Sequence, residues 1–203
     1  WNSFSRKYSL TPLKVRTVIF DVDSTLRRIE GIEWLARLRG PEVFARVNEI
    51  TECAMRGELE FNGVYAERLN IVLPTKSEVD ALGAAYIENI STGVNEAVDR
   101  LRASGVKLLI VSGGILQPVL HLAEHLGIGP AQVHAVRMLF GKNGEYAGYD
   151  QENPCARQMG KRTAVSSLKL DRPALLIGDG MTDAEVKPAV DAFAAYTGAV
   201  RRE

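Results

Sequence analysis

The sequence predicts an α/β protein that has a Rossmann-like parallel sheet core and an inserted α-helical cap. Apolar runs rich in β-branched residues predict strands at 15–20, 106–111 and 174–177. Segments with helical spacing of apolar residues lie between these runs, and parallel strands need crossover connections of that kind. The long stretch between the first two strands has helical patterns only, which indicates an added helical layer.

The composition excludes several classes of protein. The 203 residues include 25 Lys plus Arg and 25 Asp plus Glu, so no overall field favours nucleic acid or an acidic membrane. No apolar run is long enough to cross a bilayer, and residues 1–14 lack the apolar segment of a signal peptide. Cys53 and Cys155 are far apart, which fits reduced thiols. We therefore expect a cytoplasmic protein with neither nucleic-acid nor membrane partners.

The pattern divides the chain into three parts. These are a polar N-terminal leader at 1–14, a core at 15–26 and 92–203, and a helical cap insertion at 27–91. Within the insertion, apolar periodicity predicts helices at 31–38, 41–55, 61–72 and 77–87, and Pro41 suits a helix start. Because the insertion begins directly after the first strand, we expect it to cover the carboxyl end of that strand.

The rest of the chain alternates again between helices and strands. Asn143-Gly144 lies between apolar arms at 133–140 and 145–149, which predicts a β-hairpin with a type I′ turn. The other expected elements are helices at 94–103 and 116–126, each closed by a glycine, a helix that begins at Gly160-Lys161, and an apolar run at 192–196.

Three predicted strands end in residues that carry chemistry. Asp21 and Asp23 follow the first strand, Ser112-Gly113-Gly114 the second, and Asp179 and Asp183 the third. The carboxyl ends of parallel strands meet at one edge of the sheet, so we expect these residues to converge. Several carboxylates in one small site require a cation or protons, and oxygen ligands without His or Cys favour Mg²⁺.

Donors to a phosphoryl group accompany these acids. The Ser112 hydroxyl, the amides of Gly113 and Gly114, and the Lys161 ammonium are groups that bind phosphoryl oxygens. A carboxylate nucleophile, a second acid and Mg²⁺ beside such donors indicate phosphoryl transfer through an aspartyl-phosphate.

Four motifs occur in the order typical of the haloacid dehalogenase-like (HAD) phosphatases: Asp21-Val-Asp23-Ser-Thr25, Ser112-Gly-Gly114, Lys161, and Gly178-Asp-Gly-Met-Thr-Asp183. Segments at 30–32, 54–61, 67–69, 109–114 and 143–148 also resemble the phosphoserine phosphatases of that superfamily. The resemblance spans residues 15–202. It implies a HAD-like core and a Mg²⁺-dependent phosphoric monoester hydrolase, which cleaves O-phospho-L-serine to L-serine and phosphate in serine biosynthesis.

The same resemblance implies roles for the core residues. Asp21 is the expected nucleophile, and Asp23 is the expected acid and then base. The implied Mg²⁺ ligands are Asp21, the backbone carbonyl of Asp23, and Asp179. Asp183 is expected to orient Lys161 or a metal-bound water, and Thr25 to support the site.

Substrate recognition is assigned by the resemblance mainly to the insertion. Glu30 is the expected partner of the substrate ammonium and Arg68 of its carboxylate, so a zwitterion meets one group of each sign. The other expected substrate contacts are Met55, Gly57 and Phe61 in the insertion, and Ser112, Gly113, Gly114, Lys161, Thr182 and Arg202 in the core.

The sequence leaves two alternatives open. One is a HAD phosphatase or phosphotransferase that acts on another small phosphomonoester or acceptor with the same catalytic residues. The other is a catalytically silent protein that binds phosphoserine. A homodimer also stays open as the quaternary structure.

Overall fold

The computed structural model describes residues 14–55 and 61–198. The strands there are β1 (Thr17–Phe20), β2 (Lys107–Ile115), β3 (Val133–Val136), β4 (Met138–Phe140), β5 (Tyr146–Tyr149), β6 (Ala174–Gly178) and β7 (Ala192–Ala195). The helices are α1 (Gly31–Arg37), α2 (Pro41–Met55), α3 (Phe61–Val72), α4 (Lys76–Glu88), α5 (Val94–Ala103), α6 (Leu116–His125), α7 (Gly160–Ser167) and α8 (Met181–Ala184). Parallel strands with intervening helices confirm the predicted α/β class.

The main sheet has the strand order β3-β2-β1-β6-β7, and each neighbouring pair is parallel. Phe20, the last residue of β1, pairs with Ile110 of β2 and with Ile177 of β6. The residues that follow these three positions therefore lie side by side at the carboxyl end of β1. Val18 and Ile19 of β1 are completely buried, so this edge is fixed by the apolar core.

Residues 27–91 contain α1 to α4, and the described residues among them form no strand longer than a single bridge. That bridge pairs Arg27 with Ile90 in antiparallel fashion. The N–H of Ser91 donates to the carbonyl of Leu26, and both ends of the helical segment are therefore joined. Helix α4 packs against α6, where Gly83 lies against the His121 ring.

The second predicted strand, 106–111, is longer in the structure. β2 continues in extended form through Gly113 and Gly114 to Ile115, and its register with β3 shifts between Val111 and Ile115. A Cβ atom on Gly114 would lie 3.4 Å from Oδ1 of Asp23. β2 therefore passes close beside this carboxylate, an approach that the strand pattern alone does not reveal.

The predicted hairpin is present, but two details of the prediction are wrong. The arm expected at 133–140 divides at Arg137, since β3 joins the main sheet while β4 pairs antiparallel with β5. The pairing of Phe140 with Tyr146 leaves five residues, 141–145, in the loop, which is too long for a two-residue type I′ turn. Gly144 has a φ of +83°, whereas Asn143 is not left-handed as that turn requires.

Other expectations concern the cysteines and membrane spans. Cys53 and Cys155 are not joined in a disulfide, in agreement with the predicted reduced state. No helix within 14–55 and 61–198 combines the length and the apolar character that crossing a bilayer requires. The expected leader lies almost entirely outside the described residues.

Candidate active site

Lys161 joins two carboxylates at the carboxyl edge of the sheet. Asp21 follows β1 directly, and its N–H donates to the carbonyl of Ile177 on β6, so the neighbouring strand fixes its backbone. The ammonium of Lys161, in the first turn of α7, lies 2.7 Å from Oδ1 of Asp21 and 2.7 Å from Oδ1 of Asp183. All three side chains are largely buried. The structure therefore brings together residues from three of the four sequence motifs.

Burial dominates the electrostatics of this group. It raises the pKa of Asp21 well above its usual value, the charge of Asp183 raises it further, and Lys161 opposes both effects. Burial also acts to lower the pKa of Lys161, but the carboxylates of Asp21 and Asp183 outweigh it and raise that pKa. The ionised form of Asp21, which a nucleophile requires, thus depends on positive charge beside it.

Three carboxylates form a group that suits a divalent cation. One oxygen each from Asp21, Asp179 and Asp183 lies within 4.8 Å of the others. The hydroxyl of Thr25 donates to Oδ1 of Asp179 at 3.4 Å, which helps to orient that ligand. Only oxygen donors converge here, the donor set that Mg²⁺ prefers. Among the described residues, the side chain of Asp23 does not belong to this group.

Two glycines allow the close packing of this site. A Cβ atom on Gly160 would collide with the carbonyl oxygen of Pro154, and one on Gly178 would collide with the carboxyl group of Asp183. Asp183 is further fixed by the N–H of Gly180, which donates to its Oδ2 at 3.0 Å. Gly160 therefore lets α7 pack closely against the backbone at Pro154, and Gly178 lets the Asp183 carboxyl group pack closely against the end of β6.

The phosphoryl-binding residues expected from the sequence lie at the same edge. Ser112 is buried, and its Oγ accepts a hydrogen bond from the N–H of Gly114 at 3.0 Å. Because Oγ of Ser112 is the acceptor in this bond, its own hydroxyl proton can still be donated to a phosphoryl oxygen. Gly113 passes next to the carbonyl of Cys155, and Thr182 is half-buried in α8 between Asp179 and Asp183.

Asp23 is directed toward the helical segment. Its Oδ1 contacts Nη2 of Arg27, and its Oδ2 accepts the N–H of Gly31 at 3.2 Å. Arg27 is completely buried and was missed by the sequence reasoning. The backbone at Asp23 and Ser24 is not helical, so the spacing of four residues is not a helical signal and the sequence offers none for this pair.

The two residues expected to read the amino acid differ in their surroundings. The Oε1 of Glu30 accepts a hydrogen bond from Ser24 at 2.6 Å, and burial, with smaller effects of Asp23 and Glu33, raises the pKa of Glu30 to about 7. Nη1 of Arg68 lies 3.3 Å from Oε1 of Glu33 and 3.2 Å from Oγ1 of Thr51. Glu33 and Thr51 were also missed, because helices α1 and α2 bring them to Arg68 only in the folded chain.

The four other expected substrate contacts lie at the ends of helices or outside the described residues. Met55 ends α2 and Phe61 begins α3. Gly57 and Arg202 lie outside the described residues.

Comparisons with known proteins agree with this arrangement. A family model for haloacid dehalogenase-like hydrolases matches residues 15–186. Phosphoserine phosphatase of Rattus norvegicus is 40% identical, over 92% of this chain and 83% of its own. The Drosophila melanogaster phosphoserine phosphatase is 35% identical, over 91% of this chain and 69% of its own.

A solved structure gives the same result for the fold. A phosphoserine phosphohydrolase-like protein from Francisella tularensis superposes with a TM-score of 0.82 and 28% identity, over 93% of this chain and 90% of its own. The family match covers most of the sequence and includes all four motifs that meet at the sheet edge. The chain therefore belongs to the haloacid dehalogenase-like hydrolase family.

Proposed function

We propose that the protein is a Mg²⁺-dependent phosphoserine phosphatase, which hydrolyses O-phospho-L-serine to L-serine and phosphate through an aspartyl-phosphate. The observation that carries this proposal is the buried group in which Lys161 bridges Asp21 and Asp183 beside Asp179. The Rattus norvegicus relative, which is named phosphoserine phosphatase, is 40% identical over 92% of this chain. The protein is accordingly a phosphoric monoester hydrolase of serine biosynthesis.

In the first step, a carboxylate oxygen of Asp21 attacks phosphorus. The bond between phosphorus and the serine oxygen breaks, its electron pair goes to that oxygen, and Asp23 supplies the proton. Ser112, the amide of Gly113 and Lys161 hold the phosphoryl oxygens as charge shifts onto the leaving oxygen, while the expected amide donor Gly114 instead donates to Oγ of Ser112.

In the second step, water attacks the phosphorus of the aspartyl-phosphate. Asp23 accepts a proton from this water, and the bond between phosphorus and Asp21 breaks, so that the carboxylate and inorganic phosphate are released. Asp23 is then protonated again, as the first step requires.

The carboxylate group provides the proposed metal site. Asp21, Asp179 and the backbone carbonyl of Asp23 would hold Mg²⁺, while Asp183 keeps Lys161 in place. When bound, Mg²⁺ neutralises the negative charge of nucleophile and phosphate and so favours their approach. The mutual proximity of three carboxylates supports this assignment, because such a group is unfavourable without a cation.

We further propose that residues 27–91 form a cap over a core made of 15–26 and 92–203. The backbone contacts that join Leu26 with Ser91 and Arg27 with Ile90 support these boundaries. In the cap, Glu30 binds the substrate ammonium and Arg68 its carboxylate. The remaining proposed substrate contacts, on the cap and the core, are Met55, Gly57, Phe61, Thr182 and Arg202. We place the enzyme in the cytoplasm.

The test is release of inorganic phosphate from L-phosphoserine with Mg²⁺ and with a chelator, alongside other phosphomonoesters and an Asp21→Asn variant. We expect metal-dependent turnover that favours phosphoserine and is lost in the variant. Turnover of other esters but not of phosphoserine would refute the substrate assignment. A phosphorylated acceptor in place of free phosphate would instead identify a phosphotransferase.

A further inference from the structure

Arg27 is the first residue of the helical segment, and its side chain is completely buried. Arginine is almost never fully buried unless its charge is paired, because desolvation of the cation is costly. Its Nη2 contacts Oδ1 of Asp23 and lies 2.6 Å from the hydroxyl of Tyr86 on α4. The guanidinium carbon also lies 3.4 Å from the centroid of the Tyr86 ring, in a cation–π arrangement.

Gly31 completes the surroundings of the Asp23 carboxyl group. Its N–H donates to Oδ2 of Asp23 at 3.2 Å, so that both oxygens of Asp23 have a partner in the helical segment. A Cβ atom on Gly31 would collide with the Tyr86 hydroxyl. The absence of a side chain at Gly31 therefore lets the Tyr86 hydroxyl reach Arg27.

The partners of Asp23 are themselves held by buried residues. Arg27 cannot move toward solvent, since Tyr86 is also completely buried and belongs to the apolar core. The backbone of β2 passes nearby at Gly114, where a Cβ atom would lie 3.4 Å from Oδ1 of Asp23. The carboxyl group of Asp23 is thus oriented through both of its oxygens, by Arg27 and by the N–H of Gly31.

We propose that Arg27, supported by Tyr86, is the positioning residue that orients Asp23 for proton transfer to the leaving oxygen. The inference rests on the proposed function, because it takes Asp23 as the acid and base of that reaction. It adds that a residue of the cap segment, held by α4, determines the geometry of a core catalytic group. Correct orientation of a proton donor affects the chemical step more than substrate binding.

The experiment compares Arg27→Met, Arg27→Lys and Tyr86→Phe with the control Arg39→Met. Arg39 is a suitable control because it is a part-buried arginine of the same segment, paired with Glu78 instead of Asp23. For each variant, kcat and KM are measured with phosphoserine. Single-turnover release of p-nitrophenolate from p-nitrophenyl phosphate is measured in parallel, because that anion leaves without needing a proton.

For phosphoserine, we expect Arg27→Met to lower kcat about 100-fold, the usual contribution of a positioned proton donor, with KM changed by less than about threefold. Arg27→Lys keeps a cation near Asp23, so its kcat should be about tenfold higher than that of Arg27→Met. Tyr86→Phe should lower kcat by about fivefold relative to the wild type. Arg39→Met should leave both constants unchanged. The single-turnover rate with the aryl ester should fall by less than about threefold in every variant.

An equal loss on both esters, or no rescue by lysine, would show a purely structural role and overturn the inference. If Arg27→Met does not fold, the test uses Tyr86→Phe, which removes only one oxygen atom. An unchanged kcat for Tyr86→Phe would then overturn the inference. A wild-type protein that hydrolyses another alkyl ester but not phosphoserine would refute only the proposed substrate, and the comparison would then use that ester. Inactivity toward every ester would overturn both proposals.

Discussion

The ammonium of Lys161 lies 2.7 Å from a carboxylate oxygen of Asp21, although 140 residues separate them in the sequence. The same nitrogen is 2.7 Å from Asp183, so one cation serves two buried carboxylates. Stability and catalysis depend on the same contact. Removal of the Lys161 ammonium would leave the carboxylates of Asp21 and Asp183 buried without a positive charge, which costs free energy of folding.

Lys161→Met should lower the free energy of unfolding by about 3 kcal/mol at pH 7, since it leaves buried carboxylates without their cation. It should also reduce kcat by about 100-fold or more through loss of a phosphoryl-oxygen donor. Urea unfolding and phosphate release measure the two effects. Lys76→Met is the control, because Lys76 forms an exposed pair with Asp80 and should change stability by less than about 1 kcal/mol. Equal stability of the two variants would contradict this account.

Asp179→Asn should weaken Mg²⁺ binding, because it removes a negative oxygen ligand. The Mg²⁺ concentration for half-maximal activity should rise at least about tenfold, since even the outer partners of metal ligands contribute that much. A second readout is independent of turnover: Mg²⁺ should raise the Tm of the wild type more than that of the variant. Asp80→Asn, an exposed acid, should behave as the wild type in both assays. An unchanged metal requirement in Asp179→Asn would exclude Asp179 as a ligand.

The pKa of Glu30, raised by burial to about 7, predicts a pH-dependent affinity for the amino group. Ionised Glu30 attracts the substrate ammonium, so KM for phosphoserine should fall as the pH rises through about 7 and then level off. Phospholactate lacks the ammonium, so the pH dependence of its KM reports the ionisation of the phosphate group alone. In Glu30→Gln, the KM values of phosphoserine and phospholactate should show the same pH dependence. A difference that persists in the variant would argue against Glu30 as the partner of the ammonium.

The same pKa shift has a consequence for stability with a defined sign. A carboxyl group whose pKa is higher in the folded state binds more protons when folded, so stability falls as the pH rises from about 4.5 to about 7. Glu30→Gln removes that dependence. Relative to the wild type, the variant should therefore be more stable at pH 8 than at pH 5, as urea unfolding at both values can measure. The opposite order would contradict the direction of the shift.

Gly83 is a helical glycine whose replacement by alanine should destabilise the protein. Alanine favours a helix by about 1 kcal/mol, but overpacking costs about 1 to 3 kcal/mol. At Gly83 the added Cβ would lie 2.6 Å from Nδ1 and 3.1 Å from Cβ of His121. In a His121→Ala background the ring is absent and only the contact with Cβ at 3.1 Å remains, so Gly83→Ala should be less destabilising than in the wild type by at least about 1 kcal/mol. A double-mutant cycle of unfolding free energies tests this, and additivity would disprove the contact.

The sequence predicts local features of this fold well. Helices α2, α3 and α5 have the bounds expected from periodicity and from Pro41, because their start signals and apolar faces are encoded within each segment. The convergence of Asp21, Ser112 and Asp179 also follows from the sequence, since parallel strands place their carboxyl ends together.

Nonlocal packing explains what the sequence did not reveal. A charged residue between a strand and a helix reads as solvated, yet Arg27 is buried because Tyr86, 59 residues away, covers it. Arg68 likewise finds Glu33 and Thr51 only when three helices assemble. The hairpin was misread because Arg137 separates two arms that belong to different sheets, and no local signal marks that change of partner.

The bond between Ser91 and Leu26 has a consequence for how the family can diversify. The chain leaves the core and returns to it through positions that are one backbone hydrogen bond apart. The core therefore constrains the spacing of the two ends, while the packing of α4 against α6 and the contacts of Arg27 and Gly31 with Asp23 constrain what lies between. A segment exchanged from a related hydrolase at these positions would have to supply partners for both α6 and Asp23, so that a change of substrate stays tied to the chemistry performed on it.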